Sequence, residues 1–246
     1  MKRIILVVVA SIFFAACQDD PDDPVSPIDQ TEYPATADVI YDAVTDYDGN
    51  TYDAVRIGSQ VWMAANLRTT HYANGEPVES HTPATNNNAA KYGLLYDWYA
   101  TMHGANSSSN NPSGVQGVCP NGWHVPSDAE WSQLTSYLSS HSEYVCGDDA
   151  ANIGKSLAAK YGWQRTSDEY TVGCDLSSNN ATGFSARPAG NYYNNNFDSG
   201  CAAYFWSTTE TYSTYAYNRY LYYNAPDVKR SDNYKTYGYS VRCLRD

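Results

Sequence analysis

The stretch CPNGWHVPSDAEW, residues 119–131, decides how this chain folds. Ser127 is a favourable helix N-cap, and Glu130 three residues later completes a capping box. Apolar side chains then recur at the spacing of one helix face, at Trp131, Leu134 and Leu138. The stretch therefore predicts a helix that starts after Ser127 and ends near Ser139.

The flanking sequence predicts strands before this helix and a second helix after it. Turn residues at 48–50 and 58–59 separate strand-like runs at 44–47, 51–57 and 60–63, which is typical of a β meander. A second helix is expected from about Asp148 to Lys160, because acidic residues open it and Gly162 stands beyond its end. From Gly183 onward the pattern is β-like.

Four more stretches complete a family pattern: GSQVWMAANL (58–67), YGLLYDWY (92–99), ATGFSA (181–186) and YGYSVRCLRD (237–246). With these motifs in this order, the chain from about Val39 to Asp246 resembles the Fibrobacter succinogenes major paralogous domain, common in Bacteroidetes lipoproteins. The resemblance implies an α+β, C-type lectin-like fold, which formylglycine-generating-enzyme-like domains share. It identifies a scaffold, because the family has no agreed biochemical activity.

The chain has six cysteines, which favour disulfides in an exported protein. The resemblance implies a bridge between Cys119 and Cys243, like the one that closes C-type lectin-like domains. A second bridge, between Cys146 and Cys174, would bracket the second helix. Cys201 is then left over, either as a free thiol or as a replacement partner in the second pair.

The N-terminus predicts export and lipid anchoring. A basic start and a short apolar run indicate a signal peptide at residues 1–16. The residues before Cys17 resemble a lipobox, so lipid attachment at Cys17 is expected; ordinary cleavage and a buried thiol are the alternatives. Residues 17–37 are acidic and Pro-rich, which predicts a disordered tether before a domain at 38–246. The expected location is the cell outer membrane, with the domain exposed at the cell surface.

Charge and motif content argue against nucleic acid and against catalysis. Without residues 1–16 the chain carries 13 basic and 27 acidic residues, a net charge of −14 that repels nucleic acid. The five histidines lack metal-ligand spacing, and no nucleophile or phosphate-binding motif is present. We expect no metal, no cofactor, no catalytic residue and no membrane contact beyond the anchor. His124 is expected to be a structural hydrogen-bonding residue.

Tyrosine is the strongest functional signal. The chain has 24 tyrosines, and twelve lie between Tyr192 and Tyr239 among Asn, Ser, Thr and Asp, a composition typical of binding loops. This composition predicts a surface for an extracellular glycan or protein ligand. The alternative is that the rings pack on one another across a sheet. The expected contact residues are Tyr192, Tyr193, Tyr215, Tyr217, Asn218, Tyr220, Tyr222, Tyr223, Asn224, Asp227 and Tyr234.

Three further hypotheses remain open. The same segment resembles the variable region of retroelement-diversified lectin-fold proteins, in which case Asn191, Asn194, Asp232, Asn233 and Tyr237 would join the variable positions. A structural role in the cell envelope requires the tyrosines to be packed, whereas binding requires Tyr217, Asn218 and Tyr222 to be exposed on one face. An enzyme of formylglycine-generating type would need two free thiols close together in a cleft.

Overall fold

The computed structural model describes residues 33–83, 89–193 and 195–246, and it confirms a mixed α+β domain. Within these ranges, no helix has the length and apolar character needed to cross a membrane. The strands are β1 (Asp38–Thr45), β2 (Thr51–Ile57), β3 (Gln60–Met63), β4 (Trp123–His124), β5 (Asn191–Tyr193), β6 (Asn195–Phe197), β7 (Ala202–Tyr212), β8 (Tyr215–Tyr222), β9 (Lys229–Tyr234) and β10 (Leu244–Arg245). The α-helices are α1 (Ala89–Tyr92), α2 (Trp98–Met102), α3 (Asp128–Ser139) and α4 (Gly154–Leu157), and short 3-10 turns lie at Ser142–Tyr144 and Leu176–Ser178.

The strands form antiparallel sheets. One sheet has the order β1-β2-β3-β10-β4, a second has the order β7-β8-β9, and β5 pairs with β6. The predicted meander forms, and β2 and β3 occupy the expected residues. Its first strand was predicted at the wrong place, because β1 covers Asp38–Thr45 and not residues 44–47. The last strand lies between β3 and β4: Leu244 pairs with both Trp62 and His124. The end of the domain therefore closes against its beginning.

A disulfide reinforces this closure. The sulfurs of Cys119 and Cys243 are 2.01 Å apart, which confirms the first predicted bridge. Both cysteines are completely buried. The bond joins the segment before β4 to the segment before β10, so it closes a loop that spans most of the domain.

Helix α3 begins as the capping box predicts. The Ser127 hydroxyl accepts the Glu130 backbone N–H at 3.2 Å, and the Glu130 carboxylate accepts the Ser127 N–H at 2.8 Å. The apolar face of the helix is buried, and the Trp131 ring lies 4.6 Å from Trp62 and 5.5 Å from Phe205 between centroids. The helix thus joins the two main sheets through one aromatic core.

The predicted second helix is wrong in extent, because only the single turn α4 forms. Before it, the Asp149 carboxylate accepts the Ala151 N–H at 2.9 Å, a local bond that competes with helix formation. After it, Ala158 is extended and pairs with Ala186 as an isolated bridge. Local polar bonding at one end and strand pairing at the other leave no room for thirteen helical residues.

Two glycines of the family motifs are required by close packing. Gly93 has a φ of +77°, and a Cβ there would lie 2.5 Å from the Cβ of Asn66. Gly183 has the same φ, and its Cβ would lie 2.9 Å from Val55 Cγ1. Both positions therefore exclude side chains on steric and conformational grounds.

Candidate functional site

Family-motif residues build the interior. Arg242 is completely buried, and its guanidinium donates to Asn66 Oδ1 at 2.8 Å and to the carbonyl oxygens of Met63 (2.8 Å), Ser185 (2.7 Å) and Phe184. These acceptors belong to two other motifs. The side chain therefore links three distant segments, and these residues serve the scaffold.

His124 is also structural, as expected. Its Nε2 lies 2.8 Å from Glu130 Oε1 and its Nδ1 lies 2.7 Å from Asp246 Oδ1, so both ring nitrogens are occupied. Burial lowers the pKa of His124, but the hydrogen bonds and charges of the two carboxylates outweigh it and raise the pKa above the ordinary 6.5. The His124 ring therefore links Glu130, at the start of α3, to Asp246.

This pairing predicts a pH-dependent stability. Because folding raises the pKa of His124, its stabilisation is fully present below about pH 6.5 and is lost as the pH rises through the folded-state value. His124→Gln is expected to cost about 1 to 3 kcal/mol at pH 6 and less at pH 8. Urea unfolding of both proteins at the two pH values measures this. An equal cost at both would show that the ring is neutral.

The β7-β8-β9 sheet, which carries most of the predicted contact residues, is packed on both faces. On one face, Phe205 joins the core beneath α3. On the other, Trp206 lies 4.4 Å from Tyr239, and Tyr239 stacks on Tyr204 at 4.8 Å. Tyr204 in turn lies 5.2 Å from Tyr220. Part of the tyrosine content is therefore core, as the packing alternative predicted.

A continuous row of tyrosine rings, alternately exposed and half-buried, starts at the β7–β8 turn. We call Tyr212, Tyr215, Tyr234, Tyr237 and Tyr193 the tyrosine strip. Successive ring centroids along it are 6.3, 4.3, 5.9 and 4.4 Å apart. Tyr212 is 70% exposed, Tyr234 47% and Tyr193 44%. The strip is a contiguous aromatic surface.

The strip has a fixed base. Buried Lys235 follows Tyr234; its ammonium donates to Glu210 Oε2 at 2.5 Å and to the Ser213 carbonyl at 3.0 Å, and it lies 4.1 Å from the Trp98 ring centroid. Within the strip, a hydrogen bond with Tyr234 raises the pKa of Tyr215 to about 12. These contacts hold the rings in place.

The predicted contact residues are divided by the fold. Three lie in the tyrosine strip: Tyr193, Tyr215 and Tyr234. Asn224 is exposed outside it, whereas six others are half-buried: Tyr192, Tyr217, Tyr220, Tyr222, Tyr223 and Asp227. Asn218 is completely buried opposite Trp206 on β7, so its prediction as a contact is wrong.

The expected exposed face of Tyr217, Asn218 and Tyr222 does not form. Neighbouring β8 residues point to opposite sides of the sheet, and Arg230 covers the Tyr217 ring at 3.6 Å. The most exposed ring, Tyr212, was missed by the sequence analysis. Its signal is positional: it directly precedes the turn at 213–214, where side chains extend beyond the packed sheet.

The second predicted disulfide is also wrong, because Cys146 and Cys174 are free thiols. The bridge was expected because it would bracket a long second helix, and that helix is only the single turn α4. Both line a pocket of about 480 Å³ together with Lys155. Cys201, which is buried with its sulfur 3.0 Å from Gln164 Oε1, is not a free thiol and replaces neither partner.

Among the described ranges, no group of three or more His, Cys, Asp or Glu side chains is placed to hold a metal ion. Two residues of the earlier expectations, Cys17 and Asn194, lie outside the described residues.

Comparison with known proteins adds one finding. No curated protein and no solved structure matches the chain. The model of the Fibrobacter succinogenes major domain matches residues 55–245, which include four of the five sequence motifs in full and all of the fifth except Asp246. The chain therefore belongs to the Fibrobacter succinogenes major domain family.

Proposed function

We propose that this chain is a lipoprotein of the outer membrane, anchored through Cys17, whose tyrosine strip binds an extracellular glycan or protein ligand. The domain is proposed to be C-type lectin-like. That assignment is supported by the meander, the capped α3 and the bridge from the segment before the helix to the last strand. We propose that the domain binds its ligand and catalyses no reaction. A binding surface diversified by a retroelement is one version of this proposal.

The contiguous exposure of the tyrosine strip carries this proposal. Each ring offers a large amphipathic area with only two side-chain rotors, and neighbouring rings already restrict those rotors. The ordering that a ligand must impose is therefore small, so more of the contact energy is available for binding. The half-buried tyrosines of the sheet support the strip from behind.

Paired tyrosine variants test the binding role. Tyr212→Ser with Tyr234→Ser removes exposed strip rings, whereas Tyr41→Ser with Tyr47→Ser removes rings of similar exposure elsewhere. On a glycan and protein array, the strip variant is expected to lose affinity for whatever the native protein binds by about thirtyfold, or roughly 2 kcal/mol. The control variant should bind as the native protein does.

A structural role in the cell envelope is the second candidate, favoured by the packed rings of Tyr204, Tyr220 and Tyr239. If this role is correct, the native protein should bind nothing on the array. The strip variant should then have a lower thermal stability than the control variant. Equal binding by the strip and control variants would likewise exclude the strip as the binding surface.

The enzyme alternative has less support. Its resemblance places a reactive cysteine near the chain end, where Cys243 is held in a disulfide. An enzyme of this type also needs two free thiols in one cleft. Cys146 and Cys174 are free and line one pocket, but they lie much earlier in the sequence than the chain end. We therefore propose no catalytic step.

A further inference from the structure

The pocket that contains the two free thiols has fixed walls. The Cys146 N–H donates to the Asn152 carbonyl at 2.9 Å, and the Asn152 amide donates back to the Cys146 carbonyl at 3.0 Å. The Cys174 N–H donates to the Thr171 carbonyl at 3.1 Å. The backbone of each cysteine is thus held by hydrogen bonds, and both cysteines line the same pocket.

A buried cation accompanies the thiols. Lys155 is 5% exposed, and its ammonium donates to the carbonyl oxygens of Thr171 (3.4 Å), Asp175 (3.1 Å) and Cys174. The ammonium is therefore positioned to compensate negative charge on sulfur.

The pocket rim is conformationally strained. Tyr170 has a φ of +65° and Asp175 a φ of +46°, values that non-glycine residues rarely adopt. Gly147 faces Tyr170, and a Cβ at Gly147 would lie 3.1 Å from that ring. Strained backbone of this kind persists where the surrounding structure over-determines it, and it clusters at ligand sites.

We propose that Cys146 and Cys174 bind one soft monovalent metal ion, of the Cu(I) class, through their two sulfurs. Thiolate is the ligand that selects such ions. Each thiol releases one proton to solvent on binding, as metal–thiolate bonds require. Two thiolates and one monovalent cation carry a charge of −1, which the Lys155 ammonium balances.

The ligand count separates this site from a zinc site. Structural zinc takes four protein ligands and catalytic zinc three, but the described part of the chain offers no cluster of three. A soft monovalent ion is satisfied by two sulfurs. Glu169 also lines the pocket, and its carboxylate is not required.

The test measures Cu(I) uptake by the full chain, kept anaerobic with the Cys119–Cys243 bridge intact, in competition with a chromophoric Cu(I) chelator. The variants are Cys146→Ser with Cys174→Ser, and Glu169→Gln as a matched control from the same pocket. The native protein is expected to bind one more Cu(I) than the double-Ser variant, and Glu169→Gln is expected to bind as the native protein does. X-ray absorption of the difference site should give two sulfur neighbours.

Three results would overturn the proposal: equal uptake by the native and double-Ser proteins, loss of uptake in Glu169→Gln, or displacement of Cu(I) by equimolar Zn(II). Thermal unfolding of each variant separates loss of the site from loss of the fold. Because the cysteines lie outside the tyrosine strip, array binding should be the same for the double-Ser and native proteins.

Discussion

Removal of the Cys119–Cys243 bridge is expected to lower the free energy of unfolding by about 4 to 5 kcal/mol. The two cysteines are 124 residues apart, and a cross-link over so long a loop removes much of the entropy of the unfolded chain. Domains of this kind are stabilised by only about 5 to 15 kcal/mol in total, so the loss is a large share. Urea unfolding of the Cys119→Ala, Cys243→Ala variant measures it.

The chain supplies its own control. Cys146→Ser with Cys174→Ser also removes two cysteines, but no covalent bond, so that variant is expected to lose about 1 kcal/mol or less. The native protein treated with a reductant should approach the stability of the bridge-less variant. If both double variants lose the same free energy of unfolding, the bridge does not stabilise the domain by restricting the unfolded chain.

Local signals in the sequence predicted the first half of the fold well. The boundaries of β2 and β3 and the start of α3 follow from turn residues and from a capping box, which act within a few residues. The length of the second helix was predicted wrongly for the same reason: its acidic start and the glycine beyond its end are local signals, but the Asp149 turn and the pairing of Ala158 with Ala186 compete with the helix. Ala158 and Ala186 are 28 positions apart, so the sequence around either residue does not indicate that they pair.

The candidate site was only partly predictable. Tyrosine richness located the segment, but which rings reach solvent depends on what covers each face of the β7-β8-β9 sheet. Helix α3 covers one face and the Trp98 and Tyr239 cluster covers the other, and both come from distant parts of the chain. The tyrosine strip joins β5, β7, β8, β9 and the segment after β9, so it exists only in the folded domain.

The positions of the family motifs explain why recognition of the family did not identify a function. Arg242, Asn66 and Gly183 are interior positions, and their roles are packing and backbone hydrogen bonding. The tyrosine strip, apart from Tyr237, lies outside the five motifs. The family match therefore describes the scaffold, whereas the binding surface that we propose lies almost entirely outside the motifs.

Arg242→Met is expected to cost about 4 kcal/mol or more, because buried acceptors that lose their donors each cost about 1 to 3 kcal/mol. Methionine fills similar space beside Phe184, so the loss reports the hydrogen bonds more than a cavity. Arg242→Lys keeps the charge but cannot donate to all four acceptors at once. Its free energy of unfolding should therefore lie between those of the native protein and Arg242→Met.

Arg230→Met is the matched control, since Arg230 is half-exposed in its ion pair with Asp128 and should cost about 1 kcal/mol or less. Urea unfolding of the three variants and the native protein tests this order. Equal costs for Arg242→Met and Arg230→Met would mean that water replaces the guanidinium inside the domain. The expected order instead requires that the Arg242 guanidinium, bonded to residues of two other motifs, stabilises the domain interior.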